Sequence, residues 1–427
     1  VMRTAGKVAI IGGSIWGNRG AAAMLETTIA QVRAARADVR IAVFTPYPQK
    51  DAALAQDDSL EFYDSRPQAL VKYFVQALWV WLRRKLGGHP QPQGALGAMD
   101  GAEALLDVGG ITFADGRLIF LPYNILTLWP AMLMGTPVVK LSQAAGSFRN
   151  PLIRWAARIF LPRCAQTFAR GEKTYAYLRE LGLSETQVQP ATDAAFLYAP
   201  SYCLSNENET ALRQVCEKLD RLKAAGVPLV AISPSVLVME KSGSSKIDYH
   251  HVLLGMMEGC GSAQAHFVVF PNASRERSKK SRNNDIIAIE RLRAEAELSL
   301  PRPLLNRITW MMYDVNTRGI DEIVRRADVL VTSRFHAMVF GLRLCVPTLV
   351  IGWGHKYLEA MQRFHLEPYV FDYREASKDL SQVLTEMLAH SQEIHEDMLT
   401  LVGDVQRSSE VQFAYLRGLL LEPPNYS

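Results

Sequence analysis

Short apolar runs and helical apolar periods alternate along most of this chain of 427 residues. Residues 7–11 form the first apolar run, which predicts a buried β-strand. A helix is predicted at about 20–36, because Leu25, Ile29 and Val32 recur at the spacing of one helix face. The same patterns predict later strands at 40–45, 104–108, 137–141, 167–169, 228–232, 266–270, 307–311, 329–332, 348–351 and 369–371.

Strands that alternate with helices are typical of parallel α/β sheets. The chain is too long for one hydrophobic core, and its apolar period is lost at about 199–208, which predicts a linker. We therefore predict an α/β fold with two Rossmann-like domains at 1–200 and 209–390, followed by a helical tail at 391–427. The two domains are expected to face a cleft, with ligands at the carboxyl ends of the strands.

Composition narrows the class of protein. Hydrophobic residues make up 48% and charged residues 21%, as in soluble globular proteins, and a net charge of +4 is too small to indicate nucleic-acid binding. The five cysteines include no Cys-x-x-Cys pair, which favours a reducing compartment and predicts no metal site. Because no apolar run is long enough to span a membrane, we predict a cytoplasmic protein.

A turn rich in small residues, at 12–20, follows the first strand. Backbone N–H groups at such a helix N-terminus suit an anion or a sugar hydroxyl. The turn is not a dinucleotide fingerprint, because Ser14 stands where the second glycine is needed and no acidic residue follows the strand at 40–45. It is either a tight structural turn or a substrate-binding turn.

A second glycine turn, Gly109-Gly110, follows the strand at 104–108 and allows a ligand or another backbone to approach closely. Asp107 and Asp115 flank this turn. Each carboxylate either orients or deprotonates a sugar hydroxyl, or caps local structure.

Arg334 and His336 follow the strand at 329–332 and open the next helix. Anions bind at such junctions because the helix dipole and unpaired N–H groups favour negative charge. Arginine offers a planar donor fork to carboxylate or phosphate, and histidine exchanges protons near neutral pH. Lys356 follows the next strand and adds a cation. The cluster indicates a site for an anionic substrate.

These residues resemble the polysaccharide pyruvyl transferase family. Its C-terminal pattern is a strand ending in Ser/Gly-Arg-x-His, a helix, a Gly-x-Pro turn and a later lysine, which is similar to Ser333–His336, Val346-Pro347 and Gly354–Lys356. Further pieces match in order over about residues 7–365, namely Gly17–Gly20, Val108–Ile111, Leu141–Phe148, Ala169–Thr174 and Ala191–Phe196. The chain departs from the family pattern at Ala21, Ser147 and Ser233.

The resemblance implies a glycosyltransferase-B-like (GT-B-like) fold and transfer of the pyruvyl group of phosphoenolpyruvate to a sugar as a ketal. Phosphoenolpyruvate is then the co-substrate and no cofactor is expected. The implied acceptor is a polysaccharide or lipid-linked oligosaccharide precursor in exopolysaccharide or cell-envelope synthesis. The alternative is a GT-B glycosyltransferase that uses a nucleotide sugar, since one architecture hosts both activities.

For pyruvyl transfer, His336 is the predicted general acid. Arg334, Lys356 and Arg170 are predicted to bind the anionic groups of phosphoenolpyruvate. Contacts to the acceptor are assigned to four further residues, Gly17, Asn18, Asp107 and Asp115. The identity of the catalytic base stays open.

Two further segments each have two interpretations. Residues 69–86 are aromatic and apolar with a basic end, which indicates either a helix in a membrane interface or a domain-packing helix. In the first case the protein is peripheral at the inner face of the plasma membrane. The polar stretch 272–284 is either a solvated loop or a lid over the acceptor.

Overall fold

The computed structural model describes residues 6–200, 208–242, 248–260, 263–275, 283–352, 355–372, 374 and 379–421. Most of the predicted linker at 199–208 and the middle of the polar stretch at 272–284 lie outside these residues. Within the described part, no helix is both long enough and apolar enough to cross a membrane.

The chain divides into two compact units. The N-terminal unit comprises the described residues of Val1–Trp16, Ala21–Ser201 and Gln406–Ser427. The C-terminal unit comprises those of Gly17–Gly20 and Tyr202–Val405. These bounds differ from the predicted ones, because a short turn near the N-terminus belongs to the C-terminal unit and the end of the chain belongs to the N-terminal unit.

A parallel sheet forms the centre of the N-terminal unit, with strand order β3-β2-β1-β4-β6-β7-β8 and β5 beside β6. Its strands are β1 (Lys7–Ile11), β2 (Arg40–Thr45), β3 (Leu60–Asp64), β4 (Ala104–Asp107), β5 (Ile111–Ala114), β6 (Val138–Gly146), β7 (Gln166–Arg170) and β8 (Val188–Ala191). Its helices are α1 (Arg19–Ala35), whose first two residues belong to the other unit, α2 (Pro48–Ala55), α3 (Pro67–Lys85), α4 (Gly94–Met99), α5 (Leu121–Leu126), α6 (Trp129–Leu133), α7 (Pro151–Phe160) and α8 (Glu172–Leu181).

The C-terminal unit also has a parallel sheet, in the order β11-β10-β9-β12-β13-β14. Its strands are β9 (Leu229–Ser233), β10 (His266–Val269), β11 (Ile308–Trp310), β12 (Val329–Thr332), β13 (Thr348–Gly352) and β14 (Val370–Asp372). Its helices are α9 (Glu209–Ala224), α10 (Val236–Ser242), α11 (Tyr249–Gly259), α12 (Ile286–Ser299), α13 (Arg302–Leu305), α14 (Thr317–Arg326), α15 (Phe335–Arg343), α16 (His355–Gln362), α17 (Leu380–Ala389) and α18 (Ser391–Leu421), which continues into the N-terminal unit.

The central strands are buried along their whole length, as expected of parallel strands covered by helices on both faces. In each unit the strand order reverses at one point, between β1 and β4 and between β9 and β12. Paired residues mark the carboxyl ends of these strands, Ile11 with Asp107 and Ser233 with Thr332. Ligands of doubly wound sheets bind beyond the strand ends at this reversal, so the fold directs attention to the residues that follow β4 and β12.

Candidate functional site

Arg334 lies just after β12, at the N-cap position of α15, and an ion pair holds its side chain. Its Nε donates to Oδ1 and Oδ2 of Asp285 at 3.0 and 2.9 Å, and its Nη2 donates to Oδ1. Asp285 is fully buried and also accepts the backbone N–H groups of Val236 and Ala273, at 3.1 and 2.9 Å. The carboxylate therefore fixes the plane of the guanidinium and offsets much of its charge.

His336 is half-buried in the first turn of α15. Its ring lies against the backbone of Gly20, where an added Cβ atom would be 2.1 Å from His336 Nδ1. The ring of Phe335 stands perpendicular to the imidazole, with the two ring centroids 5.2 Å apart. The imidazole thus occupies space that only a glycine at position 20 leaves open.

The turn Gly17–Gly20 belongs to the C-terminal unit because its backbone pairs with residues that follow β10. Asn18 forms an antiparallel bridge with Ala273, and Ser274 N–H donates to Gly17 O at 2.8 Å. Asn18 Oδ1 accepts the Gly20 N–H at 3.0 Å, which shapes the start of α1. The sequence places Gly17 and Asn18 in the predicted domain at 1–200, but both belong to the C-terminal unit, in the turn that brings Gly20 to His336.

The buried side chain of Arg19 connects the same turn to residues 314 and 315. It is 1% exposed, its Nε donates to Val315 O at 2.8 Å, and its Nη2 pairs with Asp314. Arg275 lies near the start of the turn, with its Nε 3.7 Å from the position of a Cβ atom on Gly17. The turn therefore contacts both His336 and Arg275.

Lys356 lies next to this cluster, in the first turn of α16. Its Nζ is 5.0 Å from the ring centroids of both Phe335 and Tyr357, at cation–π distance. Since Phe335 also contacts His336, the ammonium and the imidazole share one aromatic neighbour. The structure thus brings Arg334, His336 and Lys356 together.

Two buried tyrosines hold Ser333 in place at this strand end. Tyr249 Oη and Ser333 Oγ share a hydrogen bond at 2.7 Å, and Tyr357 Oη donates to Ser333 O at 3.2 Å. Burial raises the pKa of Tyr249, and it raises the pKa of Tyr357 to about 12. Both phenols stay protonated near neutral pH, so they position Ser333 and do not act as bases.

In the N-terminal unit, Asp107 ends β4 and forms a buried ion pair with Lys140 of β6. The side chains are 4% and 1% exposed. Asp107 Oδ1 also accepts the Gly109 N–H at 2.8 Å. The carboxylate of Asp107 thus binds Lys140 and the glycine turn that follows β4. This arrangement favours the second of its two predicted roles, the capping of local structure.

Arg170 ends β7 and reaches that glycine turn from the side. Its Nη1 donates to Asp193 at 2.5 Å, and its Nη2 donates to Gly110 O at 3.2 Å. Asp193 is 1% exposed and its backbone carbonyl accepts from Ser409 of α18 at 3.0 Å. Arg170 and Asp107 therefore meet at one sheet edge of the N-terminal unit.

Asp115 follows β5 and holds the loop before α7. It accepts the Ser147 hydroxyl at 2.9 Å and the backbone N–H groups of Arg149 and Asn150 at 2.8 and 3.1 Å. Burial alone would raise the pKa of Asp115, but these three hydrogen bonds bring it below its usual value. A carboxylate with a lowered pKa is a weak base, which favours the capping interpretation.

The sequence analysis did not identify four residues of these sites, namely Asp285, Lys140, Tyr249 and Tyr357, and it named Asp193 only within the motif Ala191–Phe196. Lys140 could have been identified from the sequence, because it is the one lysine in the apolar run Val138–Leu141 and a buried lysine needs an anionic partner. Asp285 carried no such signal, since it directly follows the polar stretch 272–284, which is typical of a surface loop.

One further cluster of potential ligands occurs in the described residues, at Asp248, His250 and Glu295, whose ligand atoms lie within 4.8 Å of one another. Asp248 caps α11, and His250 Nδ1 lies 2.8 Å from Glu295 Oε1. These contacts account for the cluster, and we assign no metal to it.

Comparison with solved structures identifies the fold. S. aureus MnaA with UDP has a TM-score of 0.59 at 10% identity, over 98% of this chain and 99% of that one. A putative UDP-N-acetylglucosamine 2-epimerase from Listeria monocytogenes has a TM-score of 0.58 at 12% identity, over 98% of each chain. Anabaena HepE with UDP-glucose has a TM-score of 0.57 at 10% identity, over 96% and 99%. These similarities confirm the predicted GT-B-like fold with two Rossmann-like domains.

Sequence comparison identifies the family. None of the curated proteins compared with the chain matches it. The sequence profile of the polysaccharide pyruvyl transferases matches residues 18–355, a span that begins in the turn beside His336 and ends just before Lys356. The chain is therefore a member of the polysaccharide pyruvyl transferase family, as its motifs predicted.

Proposed function

We propose that the protein transfers the pyruvyl group of phosphoenolpyruvate to a sugar, forming a ketal and releasing inorganic phosphate. The observation that supports this most is the grouping of His336, Lys356 and the Arg334–Asp285 pair at the strand-order reversal of the C-terminal unit. Phosphoenolpyruvate carries a carboxylate and a phosphate, so its site needs several cations or N–H donors close to one proton donor.

The charges of the C-terminal cluster suggest how the donor is held. Asp285 offsets the charge of Arg334, and Lys356 and the N-terminus of α15 add positive potential beside it. We propose that Lys356 contacts an anionic group of phosphoenolpyruvate and that Arg334 presents its Nη1 edge to a second one. Arg275, beside the turn at Gly17, is a further candidate that sequence reasoning did not single out.

In the proposed reaction, His336 delivers its proton to the methylene carbon of phosphoenolpyruvate, and that carbon becomes a methyl group. The central carbon then has oxocarbenium character, and a sugar hydroxyl bonds to it while its proton passes to a base. The C–O bond to phosphate breaks with both electrons leaving on phosphate. A neighbouring hydroxyl then closes the ketal ring, and its proton passes to the departing phosphate. Two new C–O bonds and one C–H bond form in total.

The remaining predicted residues have supporting roles in this proposal. We propose that Arg170 of the N-terminal unit also contacts an anionic group of phosphoenolpyruvate. We propose that Gly17 and Asn18 contact substrate, because they belong to the turn whose last residue, Gly20, packs against the ring of His336. Asp107 and Asp115 act on the acceptor side by shaping the loops after β4 and β5. The acceptor is a glycan precursor, either a polysaccharide or a lipid-linked oligosaccharide.

Phosphate release from phosphoenolpyruvate, measured across a panel of sugar and lipid-linked acceptors, tests the proposal. We expect release only with an acceptor, and in D₂O the methyl group of the product should carry one deuterium. His336→Gln should lower turnover by roughly 10²-fold with an unchanged melting temperature. Stabilisation by UDP-sugars but not by phosphoenolpyruvate would instead favour a nucleotide-sugar glycosyltransferase.

A further inference from the structure

Helix α3 has two apolar faces. Leu70, Tyr73, Ala77 and Val80 are buried and pack it onto the N-terminal unit. A second row points to solvent at the same helical spacing: Val71, Val75, Leu78, Trp79, Leu82 and Leu86, with Trp79 53% exposed and Val75 58% exposed. Packing within the described part of the unit accounts for the first face and leaves the second one uncovered.

The exposed apolar surface continues from α3 onto α7. Trp129 of α6 is 37% exposed, and its ring lies 4.5 Å from Phe74 of α3 and 5.3 Å from Phe160 of α7. On α7, Leu152 is 57% exposed and Trp155 is 61% exposed. Twelve of the seventeen large apolar side chains that are exposed in the described residues lie between Val71 and Trp155, so the surface is a local feature of this unit.

The charges of the same segments have one sign. Residues 65–99 contain five lysines and arginines and no aspartate or glutamate, and residues 116–171 contain seven and none. Lys140 and Arg170 are paired inside the unit, but Lys72, Arg83, Lys85, Arg149 and Arg158 are exposed on or next to α3 and α7. Arg83 lies over the ring of Trp79 at 5.2 Å, which puts a cation at the edge of the apolar row.

We propose that this apolar face, formed by α3, α6 and α7, binds the surface of a bilayer that contains anionic lipids. Apolar side chains with several tryptophans, bordered by lysine and arginine, suit the boundary between acyl chains and negative head groups. A second copy of the chain is a poor occupant, because two faces of the same positive charge would repel each other. The inference extends the sequence-based interpretation of 69–86 to two further helices, and it is independent of pyruvyl transfer.

Co-sedimentation with vesicles tests the proposal. The full chain is mixed with vesicles of phosphatidylglycerol and phosphatidylcholine, or of phosphatidylcholine alone, at low and high salt. Two double variants, Trp79→Ser with Leu82→Ser on α3 and Leu152→Ser with Trp155→Ser on α7, alter exposed positions on different helices. Leu298→Ser with Leu399→Ser, at exposed positions of the C-terminal unit, is the matched control.

The wild type should bind the anionic vesicles and should be released by salt, with a blue shift of its tryptophan fluorescence. Each variant pair should weaken binding by roughly tenfold or more, because apolar area no longer enters the interface, and the control should not. Three of the seven tryptophans, at 79, 129 and 155, lie on this face and would report the transfer. The proposal would be overturned if the wild type did not bind vesicles, or if both double variants bound them as well as the wild type does. It would also be overturned if the wild type formed a dimer that these variants dissociate.

Discussion

The imidazole of His336 lies against the α-carbon of Gly20, two residues that are more than 300 positions apart in the sequence. The contact arises because the turn Gly17–Gly20 pairs with the segment after β10 and belongs to the C-terminal unit. Two of the family motifs that are far apart in the sequence therefore form one local structure. Position 20 needs a glycine, because any larger side chain would occupy the space of His336, the proposed general acid.

Gly20→Ala should displace the His336 ring, since the new methyl group would lie 2.1 Å from Nδ1 and 2.7 Å from Cβ. A misplacement of about 1 Å costs on the order of 10²-fold in turnover. We expect such a loss of phosphate release with little change in the melting temperature. Gly255→Ala, where the added methyl group has no neighbour within 4 Å, should keep full turnover. Equal turnover in the two variants would show that the His336 ring position is unimportant.

Asp285→Asn should destabilise the C-terminal unit by about 3–5 kcal/mol, because the largely buried Arg334 loses its counter-charge. Arg334→Met should have a similar cost, since it leaves the fully buried carboxylate unpaired. The double variant should lose less than the sum of the two, by about 1–3 kcal/mol. Chemical denaturation of all four proteins measures this coupling, and strictly additive losses would contradict the ion pair.

Asp107→Asn should act mainly on stability, because Asp107 is paired with Lys140 inside the N-terminal unit. We expect a loss of about 3 kcal/mol, which Lys140→Met in the same protein should partly restore. The restored double variant should keep measurable turnover if Asp107 only shapes the turn at Gly109. Restored stability with turnover abolished would instead make Asp107 the missing base.

Stability should fall as the pH is lowered from about 6.5 to about 4, because burial lowers the pKa of His266 to about 4. The unfolded chain binds a proton in this range and the folded chain does not, so acid favours unfolding by roughly 3 kcal/mol. His266→Gln should flatten the decline in melting temperature between pH 7 and 4.5. His251→Gln, at an exposed position of the same unit, should not. An unchanged slope in His266→Gln would contradict the assignment.

The sequence predicted the fold where apolar runs are continuous. Strands such as β1 and β12 occur where they were predicted, because both of their faces are buried and the pattern is unambiguous. Three strands were missed, namely β3, β5 and β8. They are short, half-exposed or proline-containing, as in Val188–Ala191, so their pattern resembles that of a loop.

The candidate site was partly predictable for a related reason. Arg334, His336 and Lys356 follow consecutive strands, and parallel strands bring their carboxyl ends to one edge. The packing of Gly20 against His336 could not be derived in this way, because it depends on how a short N-terminal turn pairs with a distant segment. Asp285 was missed because its role depends on the burial of its side chain. Burial cannot be recognised from the sequence next to a polar stretch.

Calorimetric titration with phosphoenolpyruvate tests the central claim most directly, because it needs no acceptor. Lys356→Met removes the proposed cation at the carboxyl end of β13, and Lys223→Met removes one that pairs with Asp328, at the opposite end of β12. We predict that Lys356→Met weakens binding by roughly tenfold or more and that Lys223→Met leaves it unchanged. Wild-type affinity in a folded Lys356→Met protein would contradict a phosphoenolpyruvate site beside His336.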